Sequence, residues 1–525
     1  MRGLQGVGEV RYLAARSALG PAESLPTSPD PTVGSARSRR AARGNPSKSK
    51  EDAFVRHRIL LVVVTLSALL LPAAVASANG RQFTTVEAPS ELLFSGSPDA
   101  ALDQIKDLGA TAIRIQMNWS LVAPDAGSAH APSFNQTDPN AYPAANWARY
   151  DAAIDGARAR GLRVYLTLTG SAPKWATAAK RDQLTRPSAV DFGKFATAVG
   201  RRYGSQISWW SIWNEPNLGK LLKPIYQGSR GRTLASPAIY RQLYLQAYGG
   251  LRAAHITAPI MIGELAPRAN SQRDNGTVAP LAFLRAVLCL DNSYRKARSC
   301  GRVPAQGFAM HPYTTKFGPF FQPANPDDVT IGVLPRLVTA LDRAARAGAL
   351  PARLPIYVSE FGVQSYPDRL SGVPLPTQSD FRSIGEHMAW ANSRVASFSQ
   401  YLLRDDENTP GAFGKFQSGL FLNPSGAPKP AYYGFRLPLV VTKGHGSRVA
   451  LWGFVRPARG RAGSLTIEVK DRGHGWVRYA TQRYSAGGYW TRSANTKAGR
   501  AWRVVWTDPA TGTVWDGSAT IEHAA

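Results

Sequence analysis

The sequence predicts an α/β chain, a (β/α)8 TIM barrel followed by a small all-β immunoglobulin-like sandwich. Three observations carry that expectation. From about residue 82 to 436, short β-branched or aromatic runs alternate strictly with alanine-rich helical stretches, the pattern of parallel strands joined by helical crossovers. The alternation repeats through eight strands with no glycine-rich dinucleotide fingerprint after any of them, which suits a closed barrel better than an open doubly wound sheet. Beyond residue 436 the helical period stops, and short strands split by Gly, Asn and Asp take over.

Taken in order, "FTTVEAP" is the first strand. The helix "LDQIKDLGA" precedes strand "TAIRIQMNW", and "NWARYDAAIDGARARG" precedes "LRVYLTLTG". Next come "AVDFGKFATAVGRRYG" with "ISWWSIWNEP", and "IYRQLYLQAYGGLRAAH" with "APIMIGEL". The last three pairs are "LAFLRAVLCL" with "GFAMHPY", "LPRLVTALDRAARAG" with "PIYVSEFG", and "DFRSIGEHMAWANS" with "ASFSQYLLR". The β domain offers "RVALWGFV", "SLTIEVKD", "WVRYATQRY", "GYWTRSA", "AWRVVWTD" and "TVWDGSATIEH". Its tryptophans (Trp452, Trp476, Trp490, Trp502, Trp506 and Trp515) mostly alternate with polar residues at strand period, so core filling is expected ahead of sugar stacking.

The N-terminal segments precede the barrel, which spans 79–436, with the β domain at 437–525. Residues 1–55 are rich in Ala, Arg, Ser, Pro and Gly without apolar periodicity, and read as a disordered leader. Residues 56–78 have a basic start, an apolar run and an A-x-A end at Ala76 and Ala78, as a signal peptide does. A translation start near Val55 would leave that signal compact. The run is also nearly long enough for an uncleaved membrane anchor. The expected location is therefore secreted or cell-surface. Cys289 and Cys300, the two cysteines of the chain, are close in sequence and fit one short-loop disulfide in an oxidising compartment.

The 525 residues are 44% hydrophobic, enough for a large core, and carry a formal charge of +28. The cations are spread along the chain, and in stretches such as "LDRAARAGAL" they alternate with alanine as on a solvated helix face. Nucleic acid is therefore not an expected partner, whereas loose association with an acidic wall or membrane surface is compatible. A monomeric state is expected. No H-E-x-x-H or Cys/His cluster occurs, so neither a metal nor a cofactor is expected.

In a TIM barrel the site lies at the C-terminal strand ends. The residues there include Arg114, Asn118 and Trp119 on the second strand, Trp175 after the third, and Asn214 and Glu215 after the fourth. Glu264 ends the fifth, His311 and Tyr313 the sixth, and Ser359 and Glu360 the seventh. Strands four and seven face each other across the mouth, which opposes Glu215 and Glu360. A glycosidase needs such a pair, one acid to protonate the leaving oxygen and one carboxylate to attack or to activate water. A single strand-end Glu is usually structural, and the expectation rests on the pair.

"WNEPN" and "YVSEFG" resemble the signatures of glycoside hydrolase clan A, retaining enzymes built on this barrel. "IWNEPNL" with "HPY" is most similar to family 39, with family 5, the cellulase group, close behind. The resemblance implies Glu215 as general acid/base and Glu360 as nucleophile. It implies that Asn214 holds the sugar 2-hydroxyl, Pro216 fixes the turn, and Arg114 keeps Glu360 ionised. It further implies that Tyr313 hydrogen-bonds the nucleophile, that His311 lines the sugar subsite, and that Trp119, Trp175 and Trp213 stack on sugar. The eighth strand lacks the tryptophan many members use, which leaves Tyr401 as a substitute or a subsite built differently, and the third strand has no histidine at its tip. Glu264 is open between ligand and structural roles. The implied activity is retaining hydrolysis of poly- or oligosaccharides. The alternatives are a non-catalytic carbohydrate-binding surface protein and a transglycosylase using the same residues.

Overall fold

Period-two strands and Ala-rich helices fold here into a closed ring. The computed structural model describes residues 82–228, 233–270, 275–407, 415–458 and 460–523, all within one compact unit. The leader at 1–55 and the apolar segment at 56–78 lie outside the described residues. Among the described residues, no helix is long and apolar enough to cross a membrane.

The barrel strands are β1 (Phe83–Glu87), β2 (Ala112–Asn118), β3 (Arg163–Thr169), β4 (Trp209–Ile212), β5 (Ile260–Leu265), β6 (Gly307–Met310), β7 (Ile356–Val358) and β8 (Val395–Tyr401). They neighbour one another in chain order, and β8 closes on β1 with Phe83 opposite Ser397 and Glu87 opposite Tyr401. The crossovers are α1 (Asp99–Asp107), α2 (Ala144–Ala159), α3 (Ala189–Tyr203), α4 (Ser236–Ala253), α5 (Pro280–Val287), α6 (Pro335–Arg346) and α7 (Leu375–Ala391), and α8 (Pro430–Arg436) follows β8. In α6, buried Leu337, Ala340, Leu341 and Ala344 form the stripe that an amphipathic helix turns inward. Helix α3 begins at Ser188, whose hydroxyl accepts from the Asp191 amide. It meets α4 so closely that a Cβ on Gly250 would stand 2.2 Å from the Gly193 carbonyl oxygen.

Strand periodicity sorts the side chains. Ile113, Ile115 and Met117 of β2 face the helices with Val164, Leu166 and Leu168 of β3. The alternate residues face inward. At the bottom they make an apolar floor of Phe83, Ala112, Tyr165, Trp209, Met261, Ala309 and Tyr357, with Phe83 and Trp209 stacked at 4.0 Å. Two residues further along their strands the inward positions become Arg114, Thr167 and Ser211, and four residues further Glu87 and Gln116, all buried. A buried charged layer therefore rests on an apolar floor.

The C-terminal domain has seven strands: β9 (Leu439–Lys443), β10 (Arg448–Phe454), β11 (Gly463–Lys470), β12 (Val477–Tyr484), β13 (Tyr489–Asn495), β14 (Ala501–Thr507) and β15 (Val514–Asp516). They form antiparallel sheets β9-β10-β13 and β12-β11-β14-β15. Strand β9 is an addition to the sequence expectation, which passed over the apolar run between α8 and "RVALWGFV". Val441, Val449 and Leu451 share one core with Leu465, Ile467, Trp502, Val504 and Trp506. Trp452 and Trp490 are also buried, so four of the six tryptophans fill core.

Arg456, fully buried, joins this domain to the barrel. Its Nη2 meets both carboxylate oxygens of Glu386 on α7 at 2.7 Å, its Nε donates to the Phe435 carbonyl at 2.7 Å, and its Nη1 reaches the Thr84 hydroxyl. Trp452, Phe454 and Tyr489 pack with Ile384, Met388 and Trp390 of α7. Thr84 lies at the N-terminal end of β1, so this contact is on the side away from the strand tips.

Candidate active site

Local backbone geometry aims the central residues. Trp213, Glu215 and Glu264 all have left-handed φ, at 66°, 42° and 52°, a conformation that costs non-glycine residues energy and clusters at functional sites. At Trp213 it turns the ring outward, under the helices. At Glu264 it coincides with a register irregularity between Gly263 and Leu265 that swings the carboxylate into the barrel. The Glu215 amide donates to the Glu264 carbonyl at 2.9 Å. Asn217 fixes the turn after Pro216, its Nδ2 donating to the Ala266 and Val278 carbonyls at 2.9 Å and its Oδ1 accepting from the Ala266 amide at 2.8 Å.

Arg114 is the hub, and all four of its Nη hydrogens are engaged. Nη1 donates to Glu87 and, at 2.7 Å, to Glu360 Oε1, while Nη2 donates to Asn214 Oδ1 and Glu264 Oε2, both at 2.9 Å. Burial works against the guanidinium charge, but Glu264, Glu87 and Glu360 together outweigh it and hold Arg114 charged. Glu264 Oε1 also accepts from Tyr165, Thr167 and Ser211 at 3.1, 3.0 and 2.6 Å. Glu264 is fully enclosed beneath the mouth, with both carboxylate oxygens taken by buried donors.

Glu360 Oε2 accepts from the Tyr313 hydroxyl at 2.9 Å, and burial keeps that phenol protonated and donating. Gln116 Nε2 reaches Glu360 Oε1 at 3.3 Å and Glu87 Oε1 at 2.8 Å. Glu215 is served differently. Its Oε1 meets His311 Nδ1 at 3.0 Å, and its Oε2 is buried without a partner. Burial, reinforced by Arg114, pushes His311 well down, so it is neutral, and its Nδ1–H tautomer is the one that donates to Glu215 Oε1. Burial and then the Glu360 charge push Glu215 well up. With that tautomer, a proton on Glu215 sits on the free Oε2.

Burial also pushes Glu360 up to about 8, against the pull of Arg114. This corrects the expectation that a nearby cation such as Arg114 holds Glu360 low. One guanidinium is shared among three carboxylates, and a fourth stands nearby. A cation and a phenol touch Glu360 and stabilise its charged form, while Glu215 touches only the neutral His311 and feels Arg114 at longer range.

Carboxylate oxygens of Glu215 and Glu360 and a ring nitrogen of His311 lie within 4.8 Å of one another. The trio matches a metal donor set in kind. Its atoms are already bound to each other, to Tyr313 and to Arg114, and that cation disfavours an ion alongside.

The structure brings together Glu215, Glu360, Arg114, Asn214, His311 and Tyr313. Asn214 Oδ1 accepts from Arg114 Nη2 at 2.9 Å, which leaves the expected sugar contact to its Nδ2. The stacking roles expected of the aromatic residues are corrected. Trp119, 1% exposed, packs against Trp175, Phe192 and Phe195 under α3. Trp175 donates from Nε1 to the Pro124 carbonyl at 3.1 Å and is enclosed. Trp213 is fully buried against Phe192. None of the three offers an open face to a sugar, because the turn after each strand tip carries them outward. Tyr401 is covered by Phe416, with ring centroids 5.3 Å apart. Cys289 and Cys300 are bonded, with a Cα–Cα distance of 6.2 Å. Glu87 and Gln116 did not emerge from the sequence. The signals were there, a carboxylate closing the apolar run of β1 and a glutamine two positions after Arg114 on the same face.

Comparison with known proteins adds to this geometry. Residues 76–288 match the family model described as "Cellulase (glycosyl hydrolase family 5)", a stretch that runs from before β1 to just past α5 and includes Glu215 but not Glu360. The barrel belongs with the clan A glycosidases. Of the two clan A families whose motifs the chain resembles, the matching model is that of family 5. A β-glucosidase of an Agrobacterium species is 24% identical over 167 residues, which are 31% of this chain and 34% of that protein. The chain thus spans about a third of that curated relative. A family 1 β-glucosidase structure from Thermotoga maritima shares 15% identity over 64% of this chain and 84% of that one, with a TM-score of 0.43. An apo β-glucosidase structure shares 20% over 64% and 86%, with a TM-score of 0.40.

Proposed function

We propose that this glycosidase is an exported, retaining O-glycoside hydrolase of poly- or oligosaccharides, with Glu360 as nucleophile and Glu215 as acid/base. One observation carries the reading. Glu360 is held by a cation and a phenol, while Glu215, opposite, keeps a free buried oxygen and a neutral histidine partner. In the first step a Glu360 oxygen bonds to the anomeric carbon as the glycosidic bond breaks, and Glu215 Oε2 gives its proton to the departing oxygen. In the second step Glu215 takes a proton from water, whose oxygen attacks the same carbon and releases Glu360. Part of what raises Glu215 is the Glu360 charge. That contribution vanishes in the glycosyl ester, so the acid becomes a base when a base is required. Carboxylate oxygens within 4.8 Å favour retention, since inversion needs a gap of about 6.5–9.5 Å.

A β-glucoside is the first substrate to try, because the Agrobacterium relative is a β-glucosidase. Export is supported by the basic and apolar segment at 56–78 and by the Cys289–Cys300 disulfide. The seven strands in three- and four-stranded sheets support the immunoglobulin-like reading of the C-terminal domain. Intact mass and peptide mapping after exposure to 2-deoxy-2-fluoroglycosyl inactivators of several sugar types tests the function. A one-to-one adduct on the Glu360 peptide is expected. An adduct on Glu215 reverses the roles, and the absence of both adduct and product across the panel overturns the hydrolase reading.

A further inference from the structure

Glu87 ends the first barrel strand and is 1% exposed, beneath the catalytic pair. Its Oε2 accepts from Arg114 Nη1, the nitrogen that also donates to Glu360 Oε1 at 2.7 Å. Its Oε1 accepts from Gln116 Nε2 at 2.8 Å, and that amide also leans toward Glu360 Oε1 at 3.3 Å. Both donors that hold Glu360 Oε1 are thus held by Glu87 as well.

We propose that Glu87 is a positioning residue for the reaction: it divides the charge of Arg114 with the nucleophile, and so sets the pH above which Glu360 can attack. The proposal rests on the retaining reading above. It follows from charge count. Among the described residues, Arg114 is the one cation that contacts Glu87, Glu264 and Glu360. Glu264 has three further donors beneath the mouth, and Glu87 has both oxygens paired. Neither leaves the guanidinium free to serve Glu360 alone. The other groups facing Glu360 are Tyr313 and His311 after β6, Glu215 after β4, and Tyr401 at the end of β8 beside Tyr313. None of them adds positive charge while His311 is neutral. Burial pushes both Glu87 and Glu360 up, which agrees with a site short of cations.

The test is Glu87→Gln. The substitution is isosteric, and the Gln116 amide can rotate to meet the new one. The acid limb of the kcat/KM profile is expected to move down by about one pH unit, because a like charge beside Glu360 has gone. A merely structural role would lower activity at every pH and leave the limb in place, which would overturn the proposal. Tm against pH gives an arm that needs no activity: between pH 4.5 and 8 it should fall less steeply in Glu87→Gln than in the wild type, and an equal slope overturns the proposal. A wild type that accepts no label in the inactivator panel sinks the hydrolase reading and leaves this second arm decisive. If Glu87→Gln does not fold, Glu87→Asp, which withdraws the carboxylate by one methylene, should move limb and slope in the same direction, and a wild-type profile from it overturns the proposal.

Discussion

The two carboxylates at the mouth differ in their neighbours, and the proposed roles follow from that difference. Glu360 touches Arg114 and Tyr313, while Glu215 touches neutral His311 and keeps one oxygen free. Glu215→Gln and Glu360→Gln should each lower kcat by about 10²-fold or more with an unchanged circular dichroism spectrum. His311→Ala removes the Nδ1 donor that orients Glu215, and should depress kcat more than it raises KM. The same carboxylates make stability depend on pH. Burial raises Glu215 and Glu360 above the ordinary 4.5, Glu360 to about 8. The folded state therefore holds their protons more tightly than the unfolded chain does. Their contribution is fully present below about 4.5 and is lost as the pH rises through the folded values. Tm should fall across that window, and Glu360→Gln, which cannot ionise, should flatten the fall and be the more stable protein at pH 7. Differential scanning fluorimetry over pH 4–9 reads both.

At the scale of elements, the site depends on turns that must fit closely. A Cβ on Gly170, after β3, would lie 2.5 Å from the Trp213 ring. Gly170→Ala must push that ring, and with it the Asn214–Glu215 turn, at a cost of about 2 kcal/mol. The loop after β8 is pinned to the loop after β7 by Lys429, whose buried ammonium meets Asp405 at 2.6 Å, Ser365 at 3.1 Å and the Gln417 carbonyl at 3.1 Å. Lys429→Met leaves Asp405 as an uncompensated buried charge, and should lower unfolding free energy by about 3 kcal/mol in a denaturant titration.

At the scale of the molecule, the β domain acts as a second outer wall. Arg456 ties it to Glu386 and Thr84, and its Trp452, Phe454 and Tyr489 cover α7. Truncation after residue 436 would expose Ile384 on that face and leave Glu386 with Arg382 as its remaining cation. The truncated barrel should aggregate in size-exclusion chromatography, while Arg456→Lys, which keeps the charge but loses the bidentate fork, should stay soluble with a lowered Tm. Because this contact lies away from the strand tips, the surviving soluble variant should keep its KM.

Much of this was legible in the chain alone. The alternation of strand and helix placed the eight strands, since a period of two followed by a period near four leaves few other ways to bury both faces. Glu215 and Glu360 were legible because charge at the end of an apolar strand is costly and so conspicuous. The tertiary structure decided what these residues touch. Sequence could not tell that Trp119, Trp175 and Trp213 turn outward, because one left-handed residue or one short turn reverses the side a ring faces. Nor could it tell that Arg114 serves four acceptors, because their strands are far apart in the chain and converge only when the barrel closes. Composition and pattern act through burial, which is additive and local. The proton affinities of the site depend on how many charges share one dry space, and only closure of the ring fixes that number.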